Sequence, residues 1–277
     1  MECLTDTSAF IIDMDGVLWH GEQAVPGLVD FFQALRKKKI RFILATNNAS
    51  LTPQQYVNKL DRMGVSIDAN DILTSGMATA LYLSEQVDPA STSVYVVGEQ
   101  GARQPLVDQG FILTEGYELN ADSNSTMAAA QFVVCGKDET LNWDKLAIAT
   151  LNIRAGAQFI GTNADTTMPT ERGFTHGNGA ILAALQVATG VEPIIIGKPE
   201  PIMYQQALAL LKVDPAGTVA IGDRLETDIL GAVRTGIRSI MLLSGVSTEK
   251  DLKESDYQPT CVMEDIRAIT EILLKVS

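Results

Sequence analysis

A chain of 277 residues that is 46% hydrophobic and 20% charged is long enough for one large or two ordinary domains and too apolar for global disorder. Its formal net charge of -13 leaves no basic footprint, which argues against a nucleic-acid-binding protein. No apolar run has the length of a membrane span, and the N-terminal residues lack the pattern of a signal peptide. We therefore expect a soluble, cytoplasmic protein with no membrane partner.

The three cysteines, Cys3, Cys135 and Cys261, are far apart and form no CxxC pair. This usage is typical of buried or inert thiols in a reducing compartment. The two histidines, His20 and His176, lie near none of the cysteines, which argues against a zinc site.

Strands and helices alternate along the chain. The strand AFIID precedes the helix GLVDFFQALRKKK, and the strand RFILA precedes a helix with Pro53 at its first position and Gly64 after its end. Later strands read SVYVV, QFVVC, QFIG, EPIII, GTVAIG and RSIMLL, with helical stretches between them. This order predicts an α/β fold with parallel sheets and right-handed crossovers.

Polar side chains cluster just beyond the ends of four of these strands. They are Asp13 and Asp15, then Thr46, Asn47 and Asn48, then Lys198, and last Asp223 and Asp228. Ligands of open α/β sheets bind beyond the carboxyl ends of the strands, so neighbouring strands would bring this set together. Carboxylates a few ångström apart repel each other unless a cation or a proton lies between them. We therefore expect the carboxylates to hold a hard dication such as Mg²⁺.

Taken singly, each of these residues also has a structural explanation. An aspartate at a strand end is commonly a turn residue or a helix cap, and a lysine is commonly a solvated surface charge. Other site classes do not fit the spacing. Counted from Asp13 as position one, Gly16 stands at position four rather than at position six, where an EF-hand loop requires glycine. The chain also has no GxxxxGK[ST] or GxSxG motif.

Four motifs, DMDGVLW, TNN, GKP and GDRLETD, resemble those of the haloacid dehalogenase superfamily of aspartate-nucleophile phosphatases. The resemblance extends over nearly the whole chain. ATNNAS, FIGTNAD and IGKPEPIMYQQAL are most similar to the branch that contains NagD, 4-nitrophenylphosphatases and phosphoglycolate phosphatases. The resemblance implies a Rossmann-like, doubly wound parallel-sheet core.

The resemblance to this superfamily also implies roles for the clustered residues. Asp13 would be the nucleophile that forms an aspartyl-phosphate, and Asp15 would protonate the leaving oxygen and then activate water. Lys198 would balance charge between Asp13 and the phosphate. The backbone carbonyl of Asp15 resembles a metal ligand of the family.

The remaining members of the cluster would bind the phosphoryl group or the metal. Thr46, Asn47 and Asn48 would bind phosphoryl oxygens. Asp223 would bind Mg²⁺ directly, and Asp228 would act through water or from behind the direct ligands.

Roughly 150 residues separate the second motif from Lys198, far more than the ~30 of a βαβ unit. We therefore predict a catalytic core over residues 1–79 and 183–277, with an α/β cap domain inserted between the second and third motifs over residues 80–182. A cap of this kind can act as a lid that excludes water and contacts the substrate.

Substrate specificity would then depend on the cap, and the loop GTNADTTMPTERGFTHGNG offers polar candidates for substrate contact. They are Asn163, Asp165, Arg172 and His176. Arg172 has the alternative of a solvated turn, and Asn163 that of a turn residue. Trp19 and His20, just after the catalytic turn, would border the leaving group, or Trp19 would pack under the loop.

These features favour a Mg²⁺-dependent phosphatase that hydrolyses small phosphomonoesters such as sugar phosphates, phosphoglycolate, nucleoside monophosphates or pyridoxal phosphate. One alternative is a phosphotransferase or mutase that uses a small acceptor. Another is a non-catalytic, receiver-like module that binds Mg²⁺ and phosphate. The expected partner is a small phosphorylated metabolite, and the resemblance also allows a homodimer formed through the cap.

Overall fold

The computed structural model of the chain describes residues 2–115, 130–170 and 173–275. Its strands are β1 (Ala9–Ile12), β2 (Trp19–His20), β3 (Gln23–Ala24), β4 (Arg41–Thr46), β5 (Ile72–Thr74), β6 (Ser93–Val97), β7 (Ile112–Thr114), β8 (Phe132–Cys135), β9 (Gln158–Gly161), β10 (Thr167–Thr170), β11 (Gly173–His176), β12 (Ile194–Ile195), β13 (Thr218–Gly222), β14 (Arg238–Leu242) and β15 (Cys261–Met263).

Its α-helices are α1 (Leu28–Lys37), α2 (Pro53–Arg62), α3 (Ser75–Ser84), α4 (Gln100–Asp108), α5 (Trp143–Arg154), α6 (Asn178–Thr189), α7 (Pro201–Leu211), α8 (Leu230–Thr235), α9 (Glu249–Glu254) and α10 (Ile266–Lys275). As predicted, Pro53 begins α2. None of the helices in the described ranges is long and apolar enough to cross a membrane.

The chain divides into two units. The first unit consists of Met1–Thr46, Pro53–Leu73 and Lys198–Ser277, and the second consists of Asn47–Thr52 and Thr74–Gly197.

The second unit is wider at both ends than the inserted domain predicted over residues 80–182. At its start, α3 packs against α4, where Gly76 lies so close to the backbone carbonyl of Gly101 that a Cβ would overlap it. At its end, α6 packs against α5, β8 and β9. Both helices are therefore part of the second unit.

The first unit contains a six-stranded sheet in the order β15-β14-β13-β1-β4-β5. β1 pairs in parallel with β13 on one side and with β4 on the other. All four residues of β1 are buried, which is the pattern of a central strand covered on both faces. On α1, the residues Leu28, Phe31, Phe32 and Leu35 are buried along one face, as their spacing predicts.

The second unit contains a five-stranded sheet in the order β12-β9-β8-β6-β7. Its neighbouring strands pair in parallel, so the α/β class with parallel sheets is confirmed. One detail of the sequence interpretation is wrong: the strand before Lys198 does not join the sheet of the strands that precede Asp13 and Asp223. β12 pairs with β9 and is only two residues long. Lys198 lies three residues beyond its end, in the turn before α7.

The expectation of unpaired thiols is also wrong for two of the three cysteines. Cys3 and Cys261 form a disulfide that joins the N-terminal segment to β15, with a sequence separation of 258 residues. Cys135 at the end of β8 is a free, buried thiol, and burial raises its pKa. Sequence spacing cannot reveal a pairing between residues at opposite ends of a chain.

This disulfide should contribute measurably to stability, because it closes nearly the whole chain into a loop and so restricts the unfolded state. We expect Cys3→Ser to lower the free energy of unfolding by about 2–4 kcal/mol in urea titrations. Dithiothreitol should lower it by a similar amount in the unsubstituted protein and have no effect on the variant. Cys135→Ser, which leaves the disulfide intact, should keep its sensitivity to the reductant. A reductant-insensitive unsubstituted protein would contradict this prediction.

Candidate active site

Three neighbouring strands deliver the polar residues of the first unit to one edge of its sheet. Asp13 follows β1, Thr46 ends β4, and Asp223 follows β13. Since β1 pairs in parallel with both other strands, their carboxyl ends lie side by side. The backbone N–H of Asp13 donates to the carbonyl of Ile221 at 2.8 Å, which extends this pairing to the aspartate itself.

Lys198 occupies the centre of this group. Its side chain is 3% exposed, and Nζ donates to Oδ1 of Asp13 at 2.5 Å, to Oδ1 of Asp228 at 2.7 Å and to the carbonyl of Ala45 at 3.0 Å. Burial by itself would lower the pKa of Lys198, but the carboxylates of Asp13 and Asp228 raise it well above its usual range. The two aspartates therefore favour the charged ammonium form of the lysine that lies between them.

Asp223 lies beside Asp13 and Asp228, and one of its two carboxylate oxygens accepts a hydrogen bond. Its Oδ2 accepts from the backbone N–H of Val246 at 2.7 Å, whereas Oδ1 is buried and accepts no hydrogen bond from the described residues. Burial, followed by repulsion from Asp228, raises the pKa of Asp223 to about 7. A Cβ at Gly16 or Gly245 would overlap the Asp223 carboxylate, so glycines at both positions let the backbone approach it.

Both carboxylate oxygens of Asp228 accept hydrogen bonds. Oδ1 accepts from Lys198, and Oδ2 accepts from the backbone N–H groups of Asp223 at 3.2 Å and Arg224 at 3.1 Å. The residue lies in a short π-helical turn, Leu225–Ile229, that leads into α8. This turn points the side chain back toward the strand end that carries Asp223.

These residues fit a divalent cation. One oxygen from each of Asp13, Asp223 and Asp228 lies within 4.8 Å of the others. Three carboxylates face one ammonium group, so the cluster has an excess of negative charge. Burial, together with repulsion from Asp228 and Asp223, raises the pKa of Asp13 well above its usual range despite the opposing attraction of Lys198. A hard dication with oxygen ligands would relieve this repulsion and use the unpaired Oδ1 of Asp223.

The carboxylate of Asp15 is not part of this group of three. Asp15 is exposed, and its Oδ1 accepts from Nε1 of Trp19 at 2.8 Å. From the sequence, Trp19 was expected either to border the leaving group or to pack under the loop. Its indole is fully buried. His20 beside it is exposed.

The two asparagines after Thr46 belong to the second unit. Thr46 itself is buried at the end of β4. Nδ2 of Asn47 donates to Oδ1 of Asp165 at 3.1 Å. Oδ1 of Asn48 accepts from the backbone N–H of Ser50 at 2.9 Å, so its side chain forms a local turn.

Asn163 and Asp165 both contact the segment that contains Asn47. Nδ2 of Asn163 donates to the carbonyl of Asn47 at 2.8 Å, and Oδ1 of Asn163 accepts from the backbone N–H of Asp165 at 3.2 Å. His176, at the end of β11, is exposed. Arg172 lies outside the described residues. Substrate contact by Asn163, Asp165 and His176 stays a prediction.

Some supporting residues escaped the sequence analysis. Oγ of Ser75 donates to the carbonyl of Asn47 at 2.5 Å, and Nδ2 of Asn178 donates to the carbonyl of Asn163 at 2.7 Å. In the first unit, Oγ of Ser244 donates to the carbonyl of Gly16 at 3.1 Å. The stretch SGVS could have been found from the sequence, because it begins two residues after the end of β14, a strand next to β13, and so lies at the same edge of the sheet.

Comparison with known proteins places this chain in a family. Residues 10–112 match the family described as haloacid dehalogenase-like hydrolase, and residues 195–269 match a related HAD-hydrolase-like family. An acid sugar phosphatase of Staphylococcus saprophyticus is 35% identical over 96% of this chain and 98% of its own length. The chain belongs to the haloacid dehalogenase-like hydrolases.

Solved structures of this superfamily agree in fold. NagD from Escherichia coli has a TM-score of 0.83 and 34% identity, covering 94% of this chain and 97% of its own. A glycerol phosphate phosphatase from Mycobacterium tuberculosis, in complex with magnesium, has a TM-score of 0.86 and 32% identity, covering 98% of this chain and 79% of its own. The Rossmann-like core with a cap and the NagD-like phosphatase branch are thereby confirmed for this haloacid dehalogenase-like chain.

Proposed function

We propose that this protein is a Mg²⁺-dependent phosphatase that hydrolyses small-molecule phosphomonoesters through an aspartyl-phosphate on Asp13. The observation that carries the proposal is the contact of Lys198 with both Asp13 and Asp228, beside the partly unpaired Asp223. Phosphoryl transfer needs mainly positioning and charge neutralisation, and this arrangement supplies both.

In the first step, a carboxylate oxygen of Asp13 attacks phosphorus, and the bond from phosphorus to the ester oxygen breaks. Asp15 gives its proton to the departing oxygen, so the alcohol leaves neutral. Lys198 stays protonated and offsets the negative charge that builds up around Asp13 and the phosphoryl oxygens. Thr46 donates to one of those oxygens.

In the second step, Asp15 takes a proton from water, and the resulting hydroxide attacks the phosphorus of the acyl phosphate. The bond between phosphorus and Asp13 breaks, phosphate leaves, and both aspartates return to their starting states. A divalent cation held by Asp13, Asp223 and the backbone carbonyl of Asp15, with Asp228 acting through water or from behind these ligands, would supply further positive charge at the phosphoryl oxygens.

The substrate class is inferred from relatives. The similar proteins include an acid sugar phosphatase and a glycerol phosphate phosphatase, so sugar and polyol phosphates are the first candidates. In this proposal the second unit selects the substrate. A cytoplasmic location and a homodimer stay predictions.

Phosphate release should depend on a divalent cation. We expect turnover of 4-nitrophenyl phosphate and of sugar and polyol phosphates with Mg²⁺, its loss in EDTA, and its return when Mg²⁺ is restored. Asp223→Asn, which removes one carboxylate charge from the group, should raise the Mg²⁺ concentration needed for half-maximal activity by about 10-fold or more, since even the loss of a group behind the direct ligands costs about 10–100-fold in metal affinity. Exchange of the exposed Glu249 for Gln should leave that concentration unchanged.

Two results would count against the proposal. Full activity after exhaustive chelation would exclude the metal-assisted mechanism. Cleavage of the ester only when an acceptor alcohol is present, with the phosphoryl group transferred to that alcohol and no free phosphate formed, would identify a phosphotransferase instead.

A further inference from the structure

One hydrogen bond links the exposed Asp15 to a buried aromatic side chain. Nε1 of Trp19 donates to Oδ1 of Asp15 at 2.8 Å, and the indole has no exposed surface. The backbone N–H of Gly16 donates to the carbonyl of Trp19 at 2.8 Å, which closes the turn between the two residues. An otherwise mobile surface carboxylate is thus tied to an anchored donor.

The indole of Trp19 is held in place by contacts with Tyr56 and Lys59. Its ring is stacked with that of Tyr56, with centroids 6.2 Å apart and planes 20° apart. Nζ of Lys59 lies 4.6 Å from the centre of the Trp19 ring and donates to the carbonyl of Gly21 at 2.7 Å. Lys59 also pairs with Glu22 at 3.3 Å. Rotation of Trp19 away from Asp15 would disrupt the stacking and the contact with the lysine.

We propose that Trp19 is a positioning residue that holds the Asp15 carboxylate so that the proton for the leaving oxygen is carried on Oδ2. An indole N–H can only donate, so it fixes Oδ1 without competing for that proton. General acid catalysis requires the acid to lie within about 2.6–3.2 Å of the atom it protonates, and a freely rotating aspartate meets this condition only part of the time. This inference rests on the proposed function, in which Asp15 is the acid.

Lys59 strengthens the arrangement. A cation over the face of an indole is attracted by the ring and fixes its orientation. With an exposed fraction of 8%, the Lys59 residue is shielded from water, so this attraction is weakly screened. Lys59 therefore acts on Asp15 through Trp19.

The hydrogen bond can be tested without any assay of activity. The chain has two tryptophans, so a proton–nitrogen NMR spectrum has two indole N–H resonances, and Trp143→Phe identifies the one from Trp19. Trp143 is 84% exposed and serves as the internal reference. We expect Asp15→Asn to shift the Trp19 resonance and leave that of Trp143 in place. An unmoved Trp19 resonance would overturn the inference.

The catalytic role can be tested by the basicity of the leaving group. A 4-nitrophenolate leaves readily without a proton, whereas the alkoxide of glycerol phosphate needs one. Trp19→Phe keeps the ring but removes the N–H. We expect it to lower kcat/KM for glycerol phosphate by about 10-fold, a part of the roughly 10²–10⁴-fold that general acid catalysis supplies, and to change kcat/KM for 4-nitrophenyl phosphate much less. Trp143→Phe should change neither value.

A second variant keeps the test decisive if Trp19→Phe does not fold. Lys59→Met retains the indole and removes the cation, and it should give the same leaving-group pattern with a loss of about threefold. Equal losses on both esters, or no loss on either, would overturn the inference while leaving the proposed function intact. If the unsubstituted protein hydrolysed neither ester, the proposed function would fail and this inference with it.

Discussion

Asp13→Asn is expected to abolish ester hydrolysis, with a loss of about 10⁴-fold or more, the scale on which removal of a catalytic nucleophile acts. The amide has nearly the same volume as the carboxylate but no charge with which to attack phosphorus. Fold stability should change little, because lost attraction to Lys198 is offset by relief of repulsion from Asp223 and Asp228. Phosphate release from 4-nitrophenyl phosphate with Mg²⁺, together with thermal unfolding, measures both effects.

The matched control is Asp61→Asn, the same chemical change at an exposed position of α2. It should keep full activity. Hydrolysis by folded Asp13→Asn at the rate of the unsubstituted protein would remove Asp13 from the mechanism. A variant that loses both activity and the cooperative unfolding transition would instead show that the charge of Asp13 is needed for folding.

Much of the first unit could be predicted from local patterns. Buried strands read as apolar runs, and Asp13, Thr46 and Asp223 stand where such runs end. Since parallel strands share an edge, strand ends alone were enough to predict that these three residues meet. The strand ends also explain why Asp13 and Asp223 group together. Asp228 lies five residues after Asp223, and it joins them because of the π-helical turn that contains it.

What could not be predicted depends on contacts between distant parts of the chain. Lys198 reaches Asp13 from a turn after β12, and that strand belongs to the other sheet, so the rule about strand ends does not explain its position. The bond from Trp19 to Asp15 depends on how a two-residue strand folds back on the turn. Asn163, expected as a substrate contact, uses its amide on the backbone around Asn47.

Lys198→Met should have the largest effect on stability among single changes at the site. In the absence of a divalent cation, removal of the ammonium group leaves the carboxylates of Asp13 and Asp228 without their positive partner. Loss of one partner of a buried ion pair costs about 3–5 kcal/mol, so the free energy of unfolding in urea with EDTA should fall by that amount. Hydrolysis should fall by about 10²-fold or more, because a charge at the phosphoryl group is lost.

The loss of stability caused by Lys198→Met should grow as pH rises. Burial and neighbouring charge raise the pKa of Asp223 to about 7 in the folded protein, above its ordinary value. The folded protein therefore binds more protons than the unfolded chain in this range, so the free energy of unfolding falls as pH rises through about 7. Without Lys198 the carboxylates repel each other more strongly. The difference in the free energy of unfolding between Lys198→Met and the unsubstituted protein should thus be smaller near pH ~5 than near pH ~8.

Lys275→Met is the matched control, because Lys275 pairs with Glu271 at 3.3 Å on the exposed face of α10. An exposed pair is screened by water and salt, so this change should leave stability nearly unaltered at either pH. If Lys198→Met were as stable as this control in EDTA, the buried carboxylates would have to be protonated already in the unsubstituted protein. The positive charge of Lys198 would then have no role in holding the site together, and its part in offsetting charge on the phosphoryl group would lose its structural basis.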